Sequence, residues 1–338
     1  MKVIILGSGR MGIRHAQGII DMPQLTHLCM VDKFEQGLQN AREALKNNSG
    51  FANTTFLTLT DFISSDQTFD IAILAATSQN RLDNCRLLME KGVKHLLVEK
   101  PLGQSMKEVQ ELVQFFENNK QVKAYVNLNM RLYDSFIRLK NDLHTLPQFA
   151  GQKTITVNTG TIGIGANGIH YLDLLYFLFD ADESVIKASE IDAQLVPSAR
   201  GTEFTDFGGW AMIDFYKNKE KLGNVFLSIS ARSTVFGGWD IVGPHGRITL
   251  NEIQQKRIDI LRKADSTMPI NRYAADYQDP IEQKIESPFL GELTRIWLDN
   301  LQQGKELLPQ LKESIKVHEL MFNWLSASKT HKDLFPIT

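Results

Sequence analysis

The chain has 338 residues, with 37 lysines and arginines against 39 aspartates and glutamates and a formal net charge of −2. That length exceeds one hydrophobic core and predicts two domains, while interspersed charges argue against a nucleic-acid or other polyanion partner. Two cysteines, Cys29 and Cys85, exclude a disulfide framework and a cysteine zinc cluster. No apolar run is long enough to span a bilayer, and "MKVIILGSGR" breaks into Gly and Ser too early for a signal peptide, so the expectation is a cytoplasmic protein away from membranes.

In chain order, "KVIIL", "LTHLCMVD", "FDIAILAAT", "VKHLLVEK" and "VKAYVNLNM" read as strands separated by helical stretches. Strands alternating with helices predict a parallel sheet covered on both faces, here over residues 1–124. The helix "RLDNCRLLMEKG" stops at Gly92, and "SMKEVQELVQFF" starts with Ser105 as cap and Glu108 three residues on. From 125 to 338 the texture changes. An almost wholly apolar helix, Ile169 to Phe179, precedes "WAMIDFY", "NVFLSIS" and "RITLNEI", the strands of a larger, mainly antiparallel sheet; "LGELTRIWLDNLQQG" and "LKESIKVHELMFNWLSAS" follow as amphipathic helices. The tetrapeptide "FGGW" occurs at 207–210 and 236–239. It reads as two Gly-Gly turns at strand entries, with two tryptophans walling a sugar pocket as the alternative.

The chemistry starts at "GSGRMG", the loop Gly7, Ser8, Gly9, Arg10, Met11, Gly12, between a strand and a helix. Its glycines supply a tight turn, a close approach to pyrophosphate and close helix–strand packing, with the phosphates on the helix N-terminus. Asp32, ending the second strand, is placed to bond the adenine ribose, which favours NAD; adjacent Lys33 leaves NADP as the lesser choice. Thr77 and Ser78, at the carboxyl end of a strand, are candidates for the nicotinamide half. Glu99 and Lys100 end another strand, where Glu99 is placed on the cofactor side and the lysine can hold a reacting oxygen; a strand-end salt bridge is the alternative.

In "GIGANGIHYLDLL", His170 and Asp173 share a helix face in an apolar run. They are therefore paired, aimed into a cleft, or both. Two such ligands without further His or Cys are too few for a metal site. His15 and His95 read as structural, and His245 as a turn residue.

The order and spacing of "GSGRMG", "VEKPL", "MRLY" and "GIHYLDLL" resemble the Gfo/Idh/MocA oxidoreductases along essentially the whole chain. The resemblance implies an N-terminal Rossmann domain and a C-terminal substrate-binding domain with a large antiparallel sheet that often builds dimers or tetramers. It implies Lys100 as holder of the reacting oxygen and His170 as acid and base, with Asp173 its orienting partner. Arg131, Asn167 and Tyr171 become substrate-side candidates. Many members carry D-x-x-x-H-x-x-D, but here Ala166 stands at the first aspartate, which removes a two-residue relay. Two functions follow: a dehydrogenase moving a hydride between NAD and a secondary alcohol of a sugar, cyclitol or sugar nucleotide, or a non-catalytic dinucleotide-binding sensor or scaffold. In the first, a helix N-terminus near His170 would keep its ring neutral.

Overall fold

The computed structural model describes residues 1–160, 162–197, 204–230, 233–267, 269, 276–327, 335 and 337. The chain forms two compact units, residues 1–132 with 288–318 and 337–338, and residues 133–287 with 319–336.

The first unit opens with strands β1 (Lys2–Leu6), β2 (His27–Asp32), β3 (Thr54–Thr58), β4 (Ile71–Leu74), β5 (His95–Val98) and β6 (Lys123–Val126). They form one parallel sheet in the order β3-β2-β1-β4-β5-β6, with the crossover at β1 that marks a doubly wound fold. Helices α1 (Arg10–Ile19), α2 (Glu35–Leu45), α3 (Leu59–Ser64), α4 (Arg81–Glu90) and α5 (Met106–Asn118) connect them. The central strands are as apolar as their burial requires: every residue of β4 is buried, and so is every residue of β1 after Lys2. Strand β3 escaped the sequence reading because it is an edge strand whose five residues are all half-buried, leaving neither an apolar run nor an alternation. The α5 start is as expected in position, with Glu108 N donating to Ser105 Oγ at 3.3 Å. Its Glu108 carboxylate reaches Gln104 N at 2.6 Å, one residue before the cap.

The second unit contains α6 (Asp134–Thr145), β7 (Lys153–Gly160), α7 (Ile169–Phe179) and strands β8 (Glu183–Pro197), β9 (Thr205–Lys217), β10 (Glu220–Ser230), β11 (Gly238–Val242), β12 (Gly246–Asn251), β13 (Lys256–Leu261) and β14 (Ile281–Lys284). The sheet runs β14-β13-β12-β11-β7-β10-β9-β8, antiparallel except for the β7–β10 pair. One face is the core: Trp239, Val157, Leu227 and Ala211 form a buried row, and Phe179 of α7 stacks on Phe215 at 5.2 Å. The opposite face leaves Val185, Met212 and Val242 exposed.

The "FGGW" expectation divides here. The second copy is a turn, with Gly237 at φ 64° just before β11. The first is not: Phe207 to Trp210 lie inside β9, where a Cβ on Gly209 would come within 2.2 Å of Glu190 O, so the glycine serves close strand packing. Trp210 pairs with Ser228, in register with Asn158 and Gly238, and Trp239 is in the adjacent row. The two indoles therefore point to opposite faces of the sheet and cannot wall one pocket.

Beyond β14 the chain returns to the first unit as α8 (Leu290–Gln302), and α9 (Ile315–Leu325) is divided between the units. The expected helices are present, although Ser328 lies outside the described residues. The boundary expected after residue 124 would cut through β6, which is paired with β5 through Val98 and Val126; the division instead falls after Leu132. The return of α8 has a packing cause. Its Trp297 meets Tyr125 edge-on at 5.9 Å, and a Cβ on Gly18 of α1 would lie 2.0 Å from Gly291 O, so the two helices touch backbone to backbone.

Candidate functional site

In the first unit, each glycine of the loop after β1 meets a different demand. Gly7 has φ 105°, and a Cβ there would be 2.5 Å from Ala76 N in the loop after β4. A Cβ on Gly12 would be 1.9 Å from Gly7 O, so helix and turn are in contact. Gly9, the residue before α1, has open space around its Cβ position. Turn, packing and open approach are the three requirements of a pyrophosphate cradle at a helix N-terminus. Ser8 is buried, donating through N to Asp32 Oδ2 at 2.7 Å and through Oγ to Val31 O at 3.2 Å. Asp32 Oδ1 accepts from Phe34 N at 2.9 Å, so the carboxylate is fixed beside the loop by two backbone donors. A Cβ on Gly37 would lie 2.9 Å from its Cγ. Arg10 and Lys33 are exposed, Met11 is half-buried, and Lys33 Nζ lies 5.5 Å from the Phe34 ring. These residues fit the adenosine and pyrophosphate half of a dinucleotide.

The other first-unit candidates separate. Thr77 is half-buried after β4. Ser78 is buried, and its Oγ donates to Ile337 O at 2.6 Å; Gln104 Nε2 donates to the same carbonyl at 3.2 Å. No local signal in the sequence announces that long-range pairing. Glu99 is held through one carboxylate oxygen: its Oε1 accepts from His15 Nε2 at 3.0 Å and Asn127 Nδ2 at 2.6 Å, while its Oε2 is buried without a hydrogen-bond partner. Burial alone would raise its pKa, but the His15 hydrogen bond and the neighbouring Lys100 charge outweigh that and hold the carboxyl well below the ordinary range. His15 Nδ1 shares a 2.7 Å hydrogen bond with Thr294 Oγ1 of α8, in keeping with a structural role. His95 stacks on Tyr125 at 6.3 Å. Lys100 is buried at the start of a cis Lys100–Pro101 peptide, and Arg131 is half-buried in a 3-10 turn, Asn129–Leu132.

In the second unit, Ile164–Gly168 form a π-type turn that runs directly into α7, with Gly168 N donating to Gly163 O at 2.8 Å. The α-helix itself starts at Ile169, as expected, and the π-type turn adds five residues of helical run ahead of it. The half-buried ring lies more than a turn inside the helical run, where the terminal dipole has faded. The N–H groups at the true start are taken: Asp206 Oδ1 accepts from Gly165 N at 2.9 Å and Oδ2 from Ala166 N at 2.6 Å. A Cβ on Gly163 would sit 2.0 Å from the Asp206 Cγ, which explains the glycine before the turn. Asp206 was missed because its partners lie about forty positions away in the chain.

Asp173 is fully buried one turn beyond His170, and Asn167 is exposed. Tyr171 departs from its expected substrate role. It is buried, stacked on Trp239 at 5.6 Å, and donates through its hydroxyl to Glu252 Oε1 at 3.4 Å. Glu252 also accepts from Trp239 Nε1 at 2.8 Å; burial pushes its carboxyl above the ordinary range despite these donors. Burial pushes the Cys29 thiol up to about 11 and Cys85 up to about 12, so neither is a thiolate near neutrality. Among the described residues no helix is long and apolar enough to cross a membrane, and no three His, Cys, Asp or Glu side chains group as metal ligands.

The fold and the first unit's loop define a dinucleotide-binding α/β protein with an antiparallel partner domain. Residues 1–128 match the oxidoreductase family with NAD-binding Rossmann fold, Gfo/Idh/MocA, so the first unit carries that family's NAD-binding domain. An oxidoreductase from Agrobacterium radiobacter, in complex with NAD+, L-tartaric acid and magnesium, is similar at TM-score 0.72 and 15% identity, covering 98% of this chain and 96% of its own. UDP-N-acetylglucosamine 3-dehydrogenase from Acidithiobacillus ferrooxidans is similar at TM-score 0.67 and 16% identity, covering 97% of each chain. A super-repressor mutant of Gal80p from Saccharomyces cerevisiae is similar at TM-score 0.71 and 14% identity, covering 97% and 96%. No curated protein sequence matches the chain.

Proposed function

We propose that the protein is a dehydrogenase that moves a hydride between NAD and a secondary alcohol or ketone of a sugar, cyclitol or sugar nucleotide. The observation that carries this reading is the cradle of Gly7, Gly9 and Gly12 with Asp32 held beside it by Ser8 N and Phe34 N. NAD, when bound, supplies the hydride acceptor or donor. Gly7 to Gly12 hold its pyrophosphate and Asp32 the ribose hydroxyls; a fixed carboxylate there disfavours a 2′-phosphate and so disfavours NADP. Thr77 lines the nicotinamide half. His170 takes the proton of the substrate hydroxyl, and Lys100 donates a hydrogen bond to the oxygen as charge develops on it. Asp173 orients the imidazole, and Arg131 and Asn167 contact substrate. The exposed apolar face of the second unit's sheet, with Val185, Met212 and Val242, suits pairing with further copies of the chain. Light scattering of the purified protein is expected to give the mass of a dimer or tetramer; a monomer overturns that part.

The catalytic test replaces His170 by Ala and Lys100 by Met and measures NADH binding separately from turnover on a sugar and sugar-nucleotide panel. Binding is expected to persist and turnover to fall about a hundredfold or more, the scale of a lost acid–base group. If both variants turn over like the parent, the roles are wrong. A second reading, a dinucleotide-binding sensor without catalysis, is favoured by Ala166, which leaves the relay position without an acid while the Asp206 carboxylate nearby is engaged as a cap. The Gal80p super-repressor shares the fold. That reading expects NAD binding with no turnover of any panel member.

A further inference from the structure

The second unit has a cavity of about 300 Å³ lined by Pro147, Gln148, His245, Arg262, Lys263 and Ser266. It sits at the end of the sheet where β7 begins, whereas Ile164–Gly168 and His170 follow the end where β7 finishes. Eight residues of strand separate those ends, roughly 25 Å. Within this unit the cavity is therefore distinct from His170.

Its frame is rigid. Gln148, His245 and Arg262 come from three separate segments and close a ring of hydrogen bonds: His245 N donates to Gln148 O at 2.9 Å, Arg262 N to His245 O at 2.9 Å, and Gln148 Nε2 to Arg262 O at 2.8 Å. The turn carrying His245 is fixed by its glycines, since a Cβ on Gly243 would meet the Phe149 ring at 2.5 Å and one on Gly246 at 2.9 Å. Arg262 Nε and Nη2 both donate to Ser266 Oγ, at 3.2 and 3.1 Å, which presents the guanidinium alongside a hydroxyl. Lys263 adds a second cation, 3.6 Å from the carboxylate of Asp276. In the same ring, Gln148 Oε1 and His245 Nδ1 are buried without a hydrogen-bond partner, although Gln148 as a whole is only 6% exposed. Unpaired buried polar atoms in a preorganised frame are a cost that a bound polar molecule offsets.

Arg262 and Lys263 are cations, and the Ser266 hydroxyl and the His245 imidazole can donate to an oxyanion, while Gln148 Oε1 is an acceptor that suits a hydroxyl of the same molecule. The volume is several times that of a water molecule, about 30 Å³, and lies at the lower limit of ligand pockets. We propose that this cavity binds a small organic oxyanion, a phosphate- or carboxylate-bearing molecule of monosaccharide size, at a site separate from His170.

The test is calorimetric titration of the full chain with glucose 6-phosphate, citrate and inorganic phosphate. It is repeated on the Arg262→Gln, Lys263→Gln double variant, with NAD binding as the check on folding. One of the two organic anions is expected to bind, with inorganic phosphate weaker, and the double variant is expected to weaken that binding about tenfold or more, as loss of charge-assisted hydrogen bonds implies. Lys263→Gln alone, at a half-exposed side chain, serves if the double variant does not fold, and a several-fold loss is expected there. The proposal is overturned if neither organic anion binds at about 10 mM, or if the variants bind as the parent does. Inorganic phosphate binding as tightly as the organic anions would overturn it too. NAD binding and turnover are read separately, so failure here leaves the dehydrogenase reading untouched.

Discussion

Glu99 and Glu252 are both buried glutamates, one in each unit, and their surroundings drive them in opposite directions. Glu99 has His15, Asn127 and the charge of Lys100 around it, and these outweigh the desolvation that would favour its neutral form. Glu252 has comparable burial but only neutral donors, Trp239 and Tyr171, and desolvation wins. Burial therefore does not decide the protonation state of an acid; the number and charge of its donors do. In the first unit the outcome is a charged residue just beyond β5, next to Lys100, held through its Oε1. In the second it is a carboxyl whose ionisation is opposed, beneath the helix that carries His170.

The largest expected effect comes from removing the charge on the first of these acids. Glu99→Gln should destabilise the first unit by about 3 kcal/mol at neutral pH, the scale of breaking a buried ion pair, measured by urea unfolding with Trp297 as the local reporter. Because the folded pKa is depressed, the stabilisation exists above the ordinary value of 4.5 and is lost as pH falls through the folded value. The gap between variant and parent should accordingly close in acid; a gap that does not change with pH would mean shape, not charge, matters at Glu99.

A smaller loss, about 1.5 kcal/mol, is expected for Asn127→Ala, which removes one hydrogen bond to a charged group and leaves His15 in place. Urea midpoints would show it, and a loss as large as that of Glu99→Gln would make the amide an equal partner. The smallest effect has the opposite sign. Glu252→Gln keeps an acceptor for Trp239 Nε1 and should stabilise the second unit by about 1 kcal/mol at pH 8. A raised folded pKa contributes stability below 4.5 that is lost as pH rises through the folded value, so the gain should vanish in mild acid. Thermal unfolding across pH checks it, and destabilisation at pH 8 would break the contrast.

The same contrast shows what was legible in the sequence. The close Gly7–Gly12 approach and the cap of α5 were readable because the partners lie within one βα turn or one helical turn, where spacing and geometry coincide. The parallel sheet was readable from its continuously apolar strands, and the larger sheet from alternation. What sequence patterns could not carry were pairings set by tertiary structure: Ser78 with Ile337, Glu99 with His15 and Asn127, Asp206 with the turn before α7. Tyr171 and the first "FGGW" were misread for a related reason. An aromatic beside a histidine, or two glycines in a row, has the same local appearance whether it faces a ligand, a turn or the neighbouring strand, and only the register of β9 decided the second case. His170 was located correctly in the first turn of α7, but the π-type turn that continues the helical run before it was not foreseen.

The contact between Gly18 and Gly291 has a consequence for the order in which the molecule is made. Gly18 leaves the ribosome early, with β1 and α1, but the backbone that covers it is synthesised only after the whole second sheet. At about 5–20 residues per second that interval is tens of seconds. Throughout it, helix α1 behind the glycine loop has one flank uncovered, so the nascent first unit should be a chaperone client until α8 emerges and closes it.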